Sequence, residues 1–177
     1  WLEDLEGVAV SHDNCLHQSI LCGPEAALAE AARRLREHRV LCETLPFRSG
    51  FHTRALEGHV EGYLEHLDRL EFRPAALPLW SATTCRPYPA AASEIRALFR
   101  EHLLRPVRFR ELLLALHGAG ARAFVQVGTG SLLWFADDDS AWLLSNFAAS
   151  SPVTVQPATR AAIAQAVQNL IRQATSN

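Results

Sequence analysis

The chain contains no methionine and no lysine. Without lysine, no side-chain amine is available as a base, a Schiff-base former or a phosphate anchor. All 17 cationic side chains are therefore arginine. Without methionine there is no natural initiator, and the Trp1-Leu2 opening reads as part of a longer polypeptide. No apolar run approaches the roughly 20 residues that span a bilayer, and no n-region/h-region pattern opens the chain. A soluble, cytoplasmic protein without a membrane partner is expected. The formal net charge of −2 leaves no basic footprint for nucleic acid and no acidic tail. Cysteine is sparse, and Cys15, Cys22, Cys42 and Cys85 include no C-x-x-C pair, which argues against a disulfide framework. In "SHDNCLH", His12, Cys15 and His17 are close together. A structural zinc site takes four ligands, usually from two separated pairs. No second pair is visible, so no metal is expected.

What the chain does have is apolar residues. They make up 49% of its 177 positions, enough for a sizeable core in a domain of average length. "GVAVSHDNCLHQSILCG" reads as two short strands, Val8 to Ser11 and Gln18 to Cys22, with a polar turn at Asp13-Asn14. Gly23-Pro24-Glu25 then starts a helix, with Ala27, Leu28, Ala31 and Leu35 at helical spacing to about His38. "VLCETLPF" from Val40 predicts a third strand. Arg54 to Leu70 predicts a second helix, with Leu56, Val60, Tyr63, Leu64 and Leu67 on one face. "LPLWSATT" from Leu77 predicts another strand. After the loop "CRPYPAAAS" come two helices, Ser93 to Leu104 and Val107 to Ala119, separated by Arg105-Pro106. "ARAFVQVGTGSLLWFADD" reads as a buried strand, a glycine turn and a helix start, and Thr159 to Ala174 as a closing amphipathic helix. Alternating strands and helices make the fold class α/β. The first part has the strand, strand, helix, strand, helix order of a small ferredoxin-like α+β unit.

Several stretches carry candidate chemistry. "VGTGSL" is a turn that could cradle phosphate, but Leu133 interrupts the G-x-G-x-x-G pattern and plain strand-to-helix geometry fits it better. Three adjacent carboxylates, Asp137 to Asp139, point in different directions and read as a solvated helix end. Arg105, Arg108 and Arg110 could meet an acidic partner or a CoA phosphate, or form a solvated helix start. His52 follows the bend at Ser49-Gly50 and the bulky Phe51, directly before a predicted helix. Such junctions present groups at the rim of a sheet, and imidazole titrates where a general base must. A base needs a nucleophile, and no G-x-S-x-G elbow occurs anywhere in the chain.

Taken in order, these pieces resemble the acyltransferase domain of type I polyketide and fatty-acid synthases, related to the malonyl-CoA:acyl-carrier-protein transacylases. "VSHDNCLHQSILCGPEAAL" resembles the family's N-G-P-x-x-x-V-x-S-G-x-x-x-A-L segment. "LPFRSGFHTRAL" resembles L-P-V-S-x-A-F-H-S-x-x-M, and "FRPAALPLWSATTCRP" resembles F-x-P-P-x-x-P-x-x-S-N-x-T-G-x-x. "HLLRPVRFRELLLALHGAGARAFVQVGTGSLL" resembles H-L-x-x-P-V-x-F-x-x-x-L-x-x-L-x-x-x-G-x-x-x-F-x-E-V-G-P-x-x-x-L. The match runs from about Val8 to Phe135. The "VQVGTGSL" wording, with Phe135, Asp137 and Asp138, is similar to the iterative polyunsaturated-fatty-acid and enediyne synthases.

The resemblance implies a ferredoxin-like small subdomain at residues 6–72 and the C-terminal part of an α/β-hydrolase-like large subdomain at 73–150. A linker and helix at 151–177 would follow. It implies a Ser–His ping-pong mechanism that moves malonyl, or a related acyl group, from CoA to the phosphopantetheine thiol of an acyl carrier protein. His52 matches the catalytic histidine. His102 matches the position whose backbone carbonyl orients that histidine. Asn14 matches the Asn bordering the acyl pocket, and Gly50 lies in the specificity stretch. Phe51 matches the residue that goes with malonyl, where Ser goes with methylmalonyl. No cofactor is expected beyond the acyl-CoA substrate and the carrier's phosphopantetheine. The chain departs from the pattern at Ser49-Gly50, Gln126 and Thr129. The serine elbow, the carboxylate-clamping arginine and the first oxyanion-hole segment are not in it. The serine would come from the missing N-terminal half of the domain, itself a partner along with neighbouring synthase domains. Two other readings stay open: an inert subdomain that docks a carrier protein, and part of a thioester hydrolase.

Overall fold

A computed structural model of the chain describes residues 1–121 and Phe124, all within one compact unit, Trp1–Trp142. The expectations at Gln126, Thr129, 131–139 and 151–177 lie outside these residues. The described part mixes helices and strands, in keeping with an α/β class. Strand β1 (Ala9–Cys15) pairs antiparallel with β2 (Gln18–Cys22). The expected turn at Asp13-Asn14 is instead strand, because β1 is bulged. Its register skips Ser11 and Asn14, so the chain reaches Cys15 before it turns. A bulge re-aims the side chains beside it. Here it leaves Ser11 and Asn14 buried.

Helix α1 (Glu25–Glu37) starts behind Pro24, whose ψ of 142° places it just outside the helix. Arg34 binds Glu30 and Asp4, which fastens the N-terminal segment to this helix. The paired guanidinium groups of Arg33 and Arg34 hold the Glu30 carboxyl down to about 2. The helix ends in a Schellman-type cap. The N–H of Val40 reaches Leu35 O, that of Arg39 reaches Arg36 O, and Arg39 takes φ 63° without being glycine.

The third strand expected from Val40 does not form. Among the described residues the segment pairs with no strand, Pro46 has no N–H to give, and Leu41 and Phe47 lie open to solvent. The ferredoxin-like order is therefore interrupted after α1. A strand needs a hydrogen-bonded neighbour, and periodicity alone does not supply one. The helix expected from Arg54 to Leu70 is split into a 3₁₀ turn (Arg54–His59) and α2 (Glu61–Asp68). Gly58 and Gly62 weaken a continuous helix there by roughly 1 kcal/mol each. Val60 and Leu67 of the predicted face are buried, whereas Tyr63 is exposed.

The strand expected from Leu77 shrinks to β3 (Trp80–Ser81), which pairs with β4 (Arg86–Pro87). Cys85 closes that hairpin at φ 54°, where the quoted pattern has glycine. Helix α3 (Ala92–Leu104) forms as expected, but the helix expected from Val107 starts only at Phe109 (α4, Phe109–Gly118), because Val107–Arg108 are drawn into strand β5 by pairing with β1. β5 lies parallel to β1, pairing His12 with Val107 and Asp13 with Arg108, and the sheet order is β2-β1-β5. This sheet thus joins strands from either side of the boundary expected at residue 72. α4 packs on β1 and α3 on the 3₁₀ turn. Ala31, Val60, Leu67, Ile95, Leu98, Leu112 and Leu113 are the buried apolar core here. All four cysteines are free thiols.

Candidate active site

His52 sits on the bend between the open segment and the 3₁₀ turn. Its backbone takes φ 63°, a left-handed conformation that costs energy for any residue but glycine. Three hydrogen bonds hold that bend. Phe51 N–H donates to Ser49 Oγ at 3.1 Å. The buried Thr53 hydroxyl donates to Gly50 O at 2.8 Å. His52 N–H donates to Leu103 O at 2.8 Å.

The side chain of His52 is half-buried, and its Nδ1 lies 2.7 Å from His102 O. The spacing of "HLLRPV" explains why that carbonyl is available. His102 and Leu103 stand in the last turn of α3, where carbonyls lack intrahelical partners. Four residues after His102 comes Pro106, which has no N–H to offer. A carbonyl can only accept, so Nδ1 bears the hydrogen and Nε2 keeps its lone pair. That is the tautomer a proton acceptor needs.

The expected pairing of His52 with the 102 carbonyl is present. Phe51 adjoins His52 and is 54% exposed. Gly50 is not demanded by space: a Cβ there would make only ordinary contacts, the nearest at 3.7 Å to Ala55 Cβ. Asn14 is buried and donates to Gln18 Oε1 at 2.7 Å across the β1–β2 turn. Of the arginines of "RPVRFR", Arg108 and Arg110 both act on Glu111. Arg108 pairs with Glu111, while Arg105 pairs with Glu101. Arg105 also lines a groove of about 300 Å³ with Arg54, Glu57, Arg100 and Glu101.

Two further imidazoles reach His52. His12 meets it edge to face at 4.8 Å between ring centroids, and His102 at 4.7 Å. Burial, and then the charge on neighbouring imidazoles, pushes both His12 and His102 below the usual histidine range. His12 has no signal in the sequence for this place. The β1–β5 pairing and the bulge at Ser11 bring it there.

No family model matches the chain. It is 24% identical over 132 residues to the polyketide biosynthesis protein PksE of Bacillus subtilis, a match covering 73% of this chain and 17% of that one. The acyltransferase domain from the second module of the salinomycin polyketide synthase superposes with a TM-score of 0.69 at 27% identity, over 78% of this chain and 32% of that one. The malonyl CoA-acyl carrier protein transacylase of Clostridium perfringens superposes with a TM-score of 0.70 at 20% identity, over 79% and 44%. The chain thus spans less than half the length of each of these relatives. In sequence motifs and in fold it is similar to part of the malonyl-CoA:acyl-carrier-protein transacylases and polyketide-synthase acyltransferase domains.

Proposed function

We propose that this chain is the histidine-bearing part of an acyltransferase that moves malonyl, or a closely related acyl group, from CoA to the phosphopantetheine thiol of an acyl carrier protein. His52 is the general base. The nucleophilic serine belongs to polypeptide outside these 177 residues, since no elbow sequence occurs within them. In the first half-reaction His52 Nε2 takes the serine proton as the oxygen attacks the thioester, and CoA leaves as the thiol. In the second, it takes the carrier thiol's proton as the sulfur attacks the acyl-enzyme, and the serine is restored. The division into a ferredoxin-like small subdomain and a hydrolase-like large one, with His52 at their cleft, belongs to the same proposal. So do the roles of Phe51, Gly50 and Asn14 beside the acyl group.

The observation that carries it is the bond from His52 Nδ1 to His102 O, which leaves Nε2 basic. The test is His52→Ala in the complete acyltransferase. A loss of about 10²–10⁴ in transfer rate is expected for removal of a general base. A rate within a few-fold of the unsubstituted enzyme refutes the assignment.

A further inference from the structure

Three imidazoles meet where β1, the bend at His52 and the end of α3 come together. The rings of His12 and His52 are inclined at 82°, those of His52 and His102 at 63°. Each ring is anchored through Nδ1 to a different group: His12 to Ser11 Oγ at 3.0 Å, His52 to His102 O at 2.7 Å, and His102 to Thr83 Oγ1 at 2.9 Å. Ser11 gives its single hydroxyl hydrogen to Ile20 O at 3.2 Å. Its oxygen is then an acceptor, so His12 carries its hydrogen on Nδ1, as His52 does.

We propose that His12 and the side chain of His102 are positioning residues for His52, two edge-on imidazoles that brace its ring against the His102 carbonyl and resist taking a charge beside it. This rests on the reading of His52 as the base. The role at position 102 then goes beyond its carbonyl, and a role at His12 is new. The reasons are steric and electrostatic. A ring braced by two others is kept aimed at His102 O; without them it can swing off that carbonyl and lose the bond that sets its tautomer. Two imidazolium charges about 5 Å apart in a half-buried setting repel strongly, which disfavours a charge on His12 or His102 beside His52.

The neighbouring charges do not offset this. Arg108 and Glu111, from β5 and α4, neutralise each other, as do Arg105 and Glu101 on α3. Asp13 follows His12 on β1, and Arg54 and Glu57 stand on the 3₁₀ turn. Besides burial, the charges that depress His12 and His102 are those of the neighbouring imidazoles.

The test is a ¹⁵N-histidine titration of the 177-residue chain by two-bond H–N correlation, which reads the charge and tautomer of each ring. Expected in the unsubstituted chain are the Nδ1–H signature at His52 and His12, and midpoints below the ordinary histidine value at His12 and His102. In His52→Gln those two midpoints shift upward. In His12→Asn and in His102→Asn, which keeps the carbonyl, His52 loses its pure Nδ1–H signature and becomes a tautomer mixture. Three rings titrating independently in the unsubstituted chain overturn the proposal, and that measurement needs no variant to fold. So do unmoved midpoints in His52→Gln, or an unchanged His52 tautomer in both Asn variants. If the couplings appear but His52→Ala leaves acyl transfer intact, the base assignment falls instead. If transfer depends on His52 but the couplings are absent, only the present proposal falls.

Discussion

His52 is tied twice to the end of α3, by its ring to His102 O at 2.7 Å and by its backbone N–H to Leu103 O at 2.8 Å. Side chain and main chain are thus positioned by one helical turn. The His102 carbonyl survives any substitution that leaves the helix intact, whereas its ring does not. In the complete acyltransferase, His102→Ala is expected to lower transfer by roughly 10–100-fold, as loss of a positioning contact does. That is less than the loss for His52→Ala. Steady-state rates for the two variants, measured side by side, check the order.

Pro106 keeps the His102 carbonyl out of the helix ladder. In Pro106→Ala a new N–H four residues on can compete for that oxygen and lengthen α3. Transfer is expected to fall by about tenfold or more while stability changes little. A rate unchanged from the parent shows that proline is not what frees the carbonyl.

Burial and neighbouring charge depress His12 and His102 in the folded state, so the unfolded chain binds protons more readily. Their contribution is complete above the unfolded value of about 6.5 and is lost as pH falls below it through the folded values. Tm is therefore expected to drop between about pH 7.5 and about pH 5.5. His12→Asn or His102→Asn should flatten that slope. Equal slopes in the parent and both variants count against the effect.

Gly23 joins β2 to α1 against the turn at Gly7. A Cβ on Gly23 would stand 2.7 Å from Gly7 O and 3.1 Å from Val8 Cα, both backbone atoms that cannot swing aside. Gly23→Ala is expected to destabilise the chain by about 1–3 kcal/mol. Gly62→Ala, on α2 with nothing within 4 Å of its added Cβ, should be neutral or slightly stabilising. Urea midpoints compare the two.

Phe51 adjoins the base and is exposed. On the proposed reading its volume excludes an α-methyl group from the acyl site. Phe51→Ser should then raise the kcat/KM ratio of methylmalonyl to malonyl by about 10–200-fold. A ratio that does not move removes Phe51 from specificity.

Local chemistry made α1, α3 and α4 legible, because apolar spacing, Pro24 and the Arg105-Pro106 break act within a few residues. The place of His52 after a sharp bend was likewise readable along the chain. The strand expected from Val40 was not decided there, because a strand exists only against a partner. The split before α2 turned on Gly58 and Gly62, whose cost a clear apolar face had masked in the periodicity.

The amino-acid order by itself determined that a histidine stands on a bend and that no serine elbow accompanies it in these residues. Only the tertiary structure decided which nitrogen of that histidine is free and which rings crowd it. Those depend on β1, shifted by its bulges, lying parallel to β5 beside the end of α3. That meeting joins positions 12, 52 and 102 through long-range pairing, which no local pattern encodes.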